Sequence, residues 1–227
     1  MRKKWGLGIC LLGALILPPA MAQTGQDYLC DQPMGVDFYQ FFRWQAYEMP
    51  LKVYIPSPGR DLNVENPGMY VPIVKQAFQA WMQVEPKLQV TYVNDPAQAQ
   101  IVVKWRSKFE HESAWGKAML PNPYQGRNGK IYHRSVIHLA VRAQEGTGLT
   151  PGEPLFSAEE LQAIAIHEAG HALGLPHSNN REDIMTGHIF RLTADYEWKV
   201  SPRDAATLRR IFAFPAQIEI PPCNGGR

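Results

Sequence analysis

Apolar and polar positions along this chain alternate at two different periods, and the changes between them mark out an ordered set of elements. Leu51, Val53 and Ile55 alternate with Lys52 and Tyr54, the two-residue period of a half-buried strand, which Pro56, Pro58 and Gly59 end. Pro72 then opens a helix with Val74, Ala77, Phe78 and Trp81 at i, i+3, i+4 and i+7, a single apolar stripe. Leu88, Val90 and Tyr92 alternate with Gln89 and Thr91 in a second strand, and Ile101 to Trp105 makes a third after the Asn94-Asp95-Pro96 turn. A short strand around Ala114 to Leu120 and another at Ile131 to Val141 are separated by a loop carrying Pro121, Pro123, Gly126 and Gly129.

The stretch from Arg142 to Phe156, with Gly146, Gly148, Pro151 and Gly152, reads as a loop into a helix that Ser157 and Glu160 open as a capping box. On that helix Gln162, Ile166, Ala169 and Leu173 fall near one line with Leu161, Ile164 and Ala165 beside them, so much of its circumference is buried. Ser201 and Asp204 start a last helix whose buried stripe is Ala205, Leu208, Ile211 and Phe212. Strand, helix, strand, strand is the order of a twisted sheet backed by a helix, an α+β domain.

Two features ahead of this pattern change the picture. Residues 23–49 are rich in aromatics, including Phe38, Phe41, Phe42, Trp44 and Tyr47, which sets them against the domain rather than in a free tail. Before them, Arg2, Lys3 and Lys4, the apolar run Trp5 to Leu17 and the small-x-small site Ala20-Met21-Ala22 read as a signal peptide over residues 1–22, too short to span a bilayer. Cleavage before Gln23 removes three of the 23 basic residues and none of the 21 acidic ones, leaving a net charge near −1. The mature chain then has no concentrated basic stripe, which speaks against a nucleic-acid partner, and it keeps no stable membrane anchor. The expected place is outside the cytoplasm, secreted or periplasmic. There Cys30 and Cys223, near opposite ends, can pair as one disulfide; Cys30 as a thiolate cap on a metal, or two free thiols, are the alternatives.

The chemistry sits in His167-Glu168-Ala169-Gly170-His171-Ala172-Leu173-Gly174-Leu175-Pro176-His177, which fits the zinc pattern HExxHxxGxxH at every fixed position. Two histidines four residues apart on a helix lie about 40° from each other around the axis and about 6 Å apart along it, so both imidazoles reach one ion. Gly174 can take the left-handed conformation that stops the helix and swings His177 back as third ligand. Three ligands leave a position open for water, whose pKa zinc lowers to roughly 7. Glu168, beside His167, then has the place of a proton shuttle, and the reaction this suits is peptide-bond hydrolysis.

Eight residues beyond His177 stands Met185, in Asp183-Ile184-Met185-Thr186, and with it the motif resembles the metzincin clan of zinc metalloproteases. Ser178 after His177, and Ser201-Pro202-Arg203-Asp204 at the last helix, resemble the matrixin branch most closely, over roughly residues 50–214. The resemblance implies a catalytic domain at 50–220 with a short tail at 221–227, and a mostly parallel sheet with an antiparallel edge strand. It also implies one catalytic zinc and an apolar floor from Met185. Trp115 to Leu120 is the candidate edge strand, which would hold a protein or peptide substrate by main-chain hydrogen bonds. His188, just past Met185, is a candidate substrate or transition-state contact; His133 and His138, five apart on one strand, face opposite sides and read as structural or surface groups.

The chain also departs from the branch. A propeptide of the usual length, a PRCG-type switch motif, an HxD run for a second zinc and a haemopexin-like repeat are not read in it, and Thr186-Gly187 stands where a Tyr-Pro is common. Calcium is implied by the resemblance, yet no loop offers a convincing set of oxygen ligands. Oligomeric state stays open, as does a second reading of function: a zinc-containing binding or scaffold protein that keeps the ligands without hydrolysis.

Overall fold

The computed structural model describes residues 27–29, 42–110, 114–143, 154–187 and 198–214. Six strands build the sheet in the order β2 (Val90–Tyr92), β1 (Leu51–Tyr54), β3 (Ile101–Arg106), β6 (Ile131–Ala140), β4 (Gly116–Ala118), with β5 (Asn122–Gln125) also paired to β6. The first four run parallel, while β4 and β5 are antiparallel to β6. Leu51, Val53, Ile101, Val103, Ile137 and Leu139 point to one face and are buried. Lys52, Lys104, Arg106 and Arg134 point to the other and are exposed.

β5 was expected to be loop. Its four residues are all exposed and give no apolar alternation to read, and Pro123 argues against a strand. In an edge strand that proline costs nothing, because its missing N–H faces away from the partner. From Ala118↔Ile137 to Asn122↔Arg134 the edge advances four residues while β6 retreats three, so one extra residue sits around Pro121 as a bulge. β4 and β5 are therefore one kinked edge.

Helices α1 (Tyr70–Val84), α2 (Ala158–Ala172) and α3 (Pro202–Ala213) supply the other side of the core. α1 begins two residues before Pro72, which is tolerated because first-turn amides have no intrahelical acceptor. All four residues of its predicted stripe are buried, as are all four of α3. α1 meets α2 at Trp81, whose indole Nε1 donates to the Ile166 carbonyl at 2.8 Å. Gly170 makes that approach possible: a methyl there would overlap Met185 Sδ and come within 2.8 Å of the Trp81 ring. Gly170→Ala is therefore expected to cost about 1–3 kcal/mol, read as a lowered thermal midpoint. An unchanged midpoint would mean that the ring and the sulfur move aside freely.

The segment ahead of β1 is tied down where it is described. Trp44 is buried and donates from Nε1 to the Ala172 carbonyl at 2.9 Å, and the Phe42 carbonyl rests against Gly174. Buried Glu48 accepts from the backbone N–H of Gln45 and of His133, each at 2.8 Å, with the His133 ring 3.2 Å away. His138, on the opposite face, accepts from Arg106 Nε at 2.9 Å, so both histidines have structural partners. Cys30, Cys223 and His188 lie outside the described residues. Among the described residues no helix is long and apolar enough to cross a membrane.

Candidate metal centre

α2 is fixed at both ends by its own sequence. Ser157 Oγ accepts from the Glu160 N–H at 3.2 Å, and Glu160 Oε2 from the Ser157 N–H at 2.7 Å. At the other end Gly174 has φ +107°, the Gly174 N–H reaches the His171 carbonyl, and the Leu175 N–H the Gly170 carbonyl, both at 3.0 Å. These are the paired bonds of a Schellman motif. The turn brings His177 back over the helix, where its ring lies 4.5 Å from that of His171 and 5.3 Å from that of His167. One ring nitrogen from each of the three lies within 4.8 Å of the others, and no other such group of potential ligands exists among the described residues.

Hydrogen bonds decide which nitrogens face inward. His167 Nδ1 lies 2.7 Å from the Ile184 carbonyl and His171 Nδ1 2.8 Å from the Leu175 carbonyl. A carbonyl only accepts, so both Nδ1 atoms carry the proton and both Nε2 lone pairs are left for a metal. Burial keeps the rings neutral as well: it pushes His167 down to about 4, and His171 well below the ordinary value. Neutral imidazoles are what a metal requires. Burial also pushes Glu168 up to about 8, opposed by a bond from the Ala118 backbone N–H. A cation among the imidazoles would draw that carboxyl back towards its ionised form. Glu168 Oε2 is buried with no partner among the described residues, and Gly116 leaves room for the carboxylate: a methyl there would lie 2.6 Å from Oε1.

A second layer holds this one. Met185 is fully buried under Gly170, and its carbonyl accepts from the Ser178 N–H at 2.7 Å, tying the segment after the third histidine back on itself. Asp183 accepts from Ser178 Oγ, Ser201 Oγ and Arg203 Nη1. Asp204, with no exposed surface, accepts from the Tyr28 hydroxyl at 2.9 Å and the Ile184 N–H at 3.0 Å. Since the Ile184 carbonyl holds His167, one residue separates this carboxylate from that imidazole. The sequence marks Asp204 only as a helix-capping residue; its burial depends on Tyr28, which lies more than 170 positions away.

Three converging imidazoles, a site one ligand short of a tetrahedron and a buried carboxylate oxygen awaiting a partner fit a zinc ion. Fold and site together define a metzincin-type domain. The sequence matches the matrixin family over residues 63–213, more than half of the chain, and the protein belongs to that family, whose members use catalytic zinc. It is 27% identical over 157 residues to matrix metalloproteinase-16 of Homo sapiens, covering 65% of this chain and 24% of that protein. With metalloendoproteinase 5-MMP of Arabidopsis thaliana it shares 29% over 162 residues, 65% of this chain and 41% of the relative. Neutrophil collagenase of Homo sapiens is 28% identical over 134 residues, 54% of this chain and 25% of the relative. The chain thus spans well under half the length of these curated relatives.

Proposed function

We propose that the protein is an exported zinc-dependent endopeptidase in which His167, His171 and His177 hold the metal, Met185 floors the site and Glu168 is the general base and acid. The observation that carries this reading is Glu168 Oε2, one position from His167, buried and with no partner among the described residues. Burying a carboxylate oxygen without a partner costs free energy, and a scaffold that merely held an ion would have no use for it.

Zinc bound by the trio supplies a Lewis acid for the substrate carbonyl and lowers the pKa of water to about 7. Glu168 Oε2 accepts a proton from the attacking water and delivers it to the leaving amine nitrogen, while the Ala118 N–H keeps the other side of the carboxylate fixed. β4 lies at the sheet edge, so the Gly116 main chain and the Ala118 carbonyl, on the side turned away from β6, offer an extended peptide hydrogen bonds while the Ala118 N–H stays with Glu168. Backbone pairing of this kind accepts varied sequences.

The expected result with casein is cleavage by the zinc-loaded protein, loss of cleavage with a chelator and recovery on adding zinc. A folded protein that holds one zinc per chain and leaves casein and random peptide libraries uncut would establish the scaffold reading instead.

A further inference from the structure

Six large apolar side chains are exposed among the described residues, and five of them, Tyr47, Met119, Leu120, Tyr124 and Ile131, gather on the β4–β5–β6 edge at 45–52% exposure. Charge gathers there as well. From Ser113 to Gln144 the chain holds neither aspartate nor glutamate, although 21 of its 227 residues are acidic, and Lys117, Arg127, Lys130 and Arg134 lie on this edge, while Arg142 turns away to the Leu62 carbonyl. The β5–β6 hairpin also stands clear of the sheet: β6 pairs with β3 only from Ser135 onward, and β5 is exposed at all four positions.

The fold adds cations that sequence order keeps apart. Register places Lys104 of β3 and Lys117 of β4 on either side of His138, with Arg106 Nε bonded to that ring. Burial first, then Arg106, Lys104 and Lys117, hold His138 below its ordinary pKa. The outer face thus has the basic stripe that a linear reading of the chain misses.

We infer that this edge docks the protein on an anionic lipid bilayer. The pairing of bare apolar side chains with cations selects that partner. Register puts Tyr124 and Ile131 on opposite faces of the β5–β6 ribbon, so a bilayer takes both where the hairpin tip enters among headgroups and acyl chains, while Arg127 and Lys130 beside them meet the lipid phosphates. A sulfated polysaccharide or an oligonucleotide would use the cations and leave Leu120 and Ile131 in water. Successive bases would also need separate ring faces, whereas Tyr124 and Tyr132 stack on each other at 5.9 Å with Tyr47 edge-on to the latter. This inference is independent of hydrolysis.

The test is co-sedimentation of the full mature chain with phosphatidylcholine vesicles, with and without about a quarter of phosphatidylglycerol. Binding is expected to the anionic vesicles and to fade as salt shortens the Debye length from about 10 Å to about 3 Å. Arg127→Glu with Lys130→Glu should weaken it at least about 25-fold, taking roughly fivefold per cation lost. Tyr124→Ser with Ile131→Ser should weaken it at least about tenfold, with the thermal midpoint lowered only by the loss of the Tyr124–Tyr132 stack and the protein still folded at the assay temperature. Indifference to the anionic vesicles overturns the inference. So does full vesicle binding by the Tyr124/Ile131 variant, an outcome that would mark a site for soluble polyanions, to be seen as equal retention of both proteins on heparin.

Discussion

Glu168→Gln is expected to leave a folded protein that binds one zinc ion and cleaves peptide about 10²–10⁴-fold more slowly. Glutamine keeps the size of the side chain, which matters where the carboxylate lies close against Gly116. Its amide oxygen can still accept from the Ala118 N–H. What changes is the other position: Oε2, without a partner and so available to take a proton, becomes an NH2 group that can only donate. The thermal midpoint should hold or rise, since a carboxyl driven up to about 8 by burial is costly to ionise in the folded chain. Three readings separate the possibilities: zinc content by elemental analysis, the midpoint, and kcat/KM on a quenched peptide. Undiminished kcat/KM with full zinc occupancy would remove Glu168 from the reaction. Lost zinc would mean that it acts on the site instead of on the substrate.

Much of this site is legible in the sequence because its geometry is local. Helical spacing brings His167 and His171 together, and one glycine conformation brings His177, so eleven consecutive residues specify the trio without help from the rest of the chain. The capping box of α2 and the apolar stripes of α1 and α3 are local in the same sense. β5 escapes because a strand exposed on both faces buries nothing, and burial is what imprints alternation on a sequence. The partners that orient the ligands escape for another reason. Trp44 reaches Ala172, Tyr28 reaches Asp204 and Gly116 faces Glu168 only after the chain has closed over long separations, and no spacing rule encodes those meetings. Asp183 is a middle case: its place beside Ile184 and Met185 is visible, but its bonds to Ser201 and Arg203 belong to the packing of α3.

The path from Asp204 to His167, two hydrogen bonds through one residue, makes it the most informative position outside the trio. Asp204→Ala leaves three donors without their acceptor: the Tyr28 hydroxyl, the Ile184 N–H and the Ser201 N–H, which lie 2.9, 3.0 and 2.9 Å from its oxygens. Orphaning buried donors costs about 1–3 kcal/mol each and the losses do not add fully, so roughly 3–5 kcal/mol is expected. In a domain of this size that lowers the thermal midpoint by about 6–20 °C. The Ile184 carbonyl, no longer held by its own amide, would let His167 turn, and zinc affinity should fall about 10–100-fold in a chelator competition. Asp204→Asn gives the contrast. Its oxygen can keep both amides while its NH2 meets the Tyr28 hydroxyl, which then accepts instead of donating. Burial raises the Asp204 pKa, so the neutral amide also escapes the cost of a buried charge. Asparagine should therefore stay within about 1 kcal/mol of the parent protein and keep its zinc. If alanine and asparagine are equally damaging, charge rather than hydrogen-bond geometry links α3 to the ligand; if neither changes zinc affinity, the chain from Asp204 through Ile184 to His167 is not what orients that imidazole.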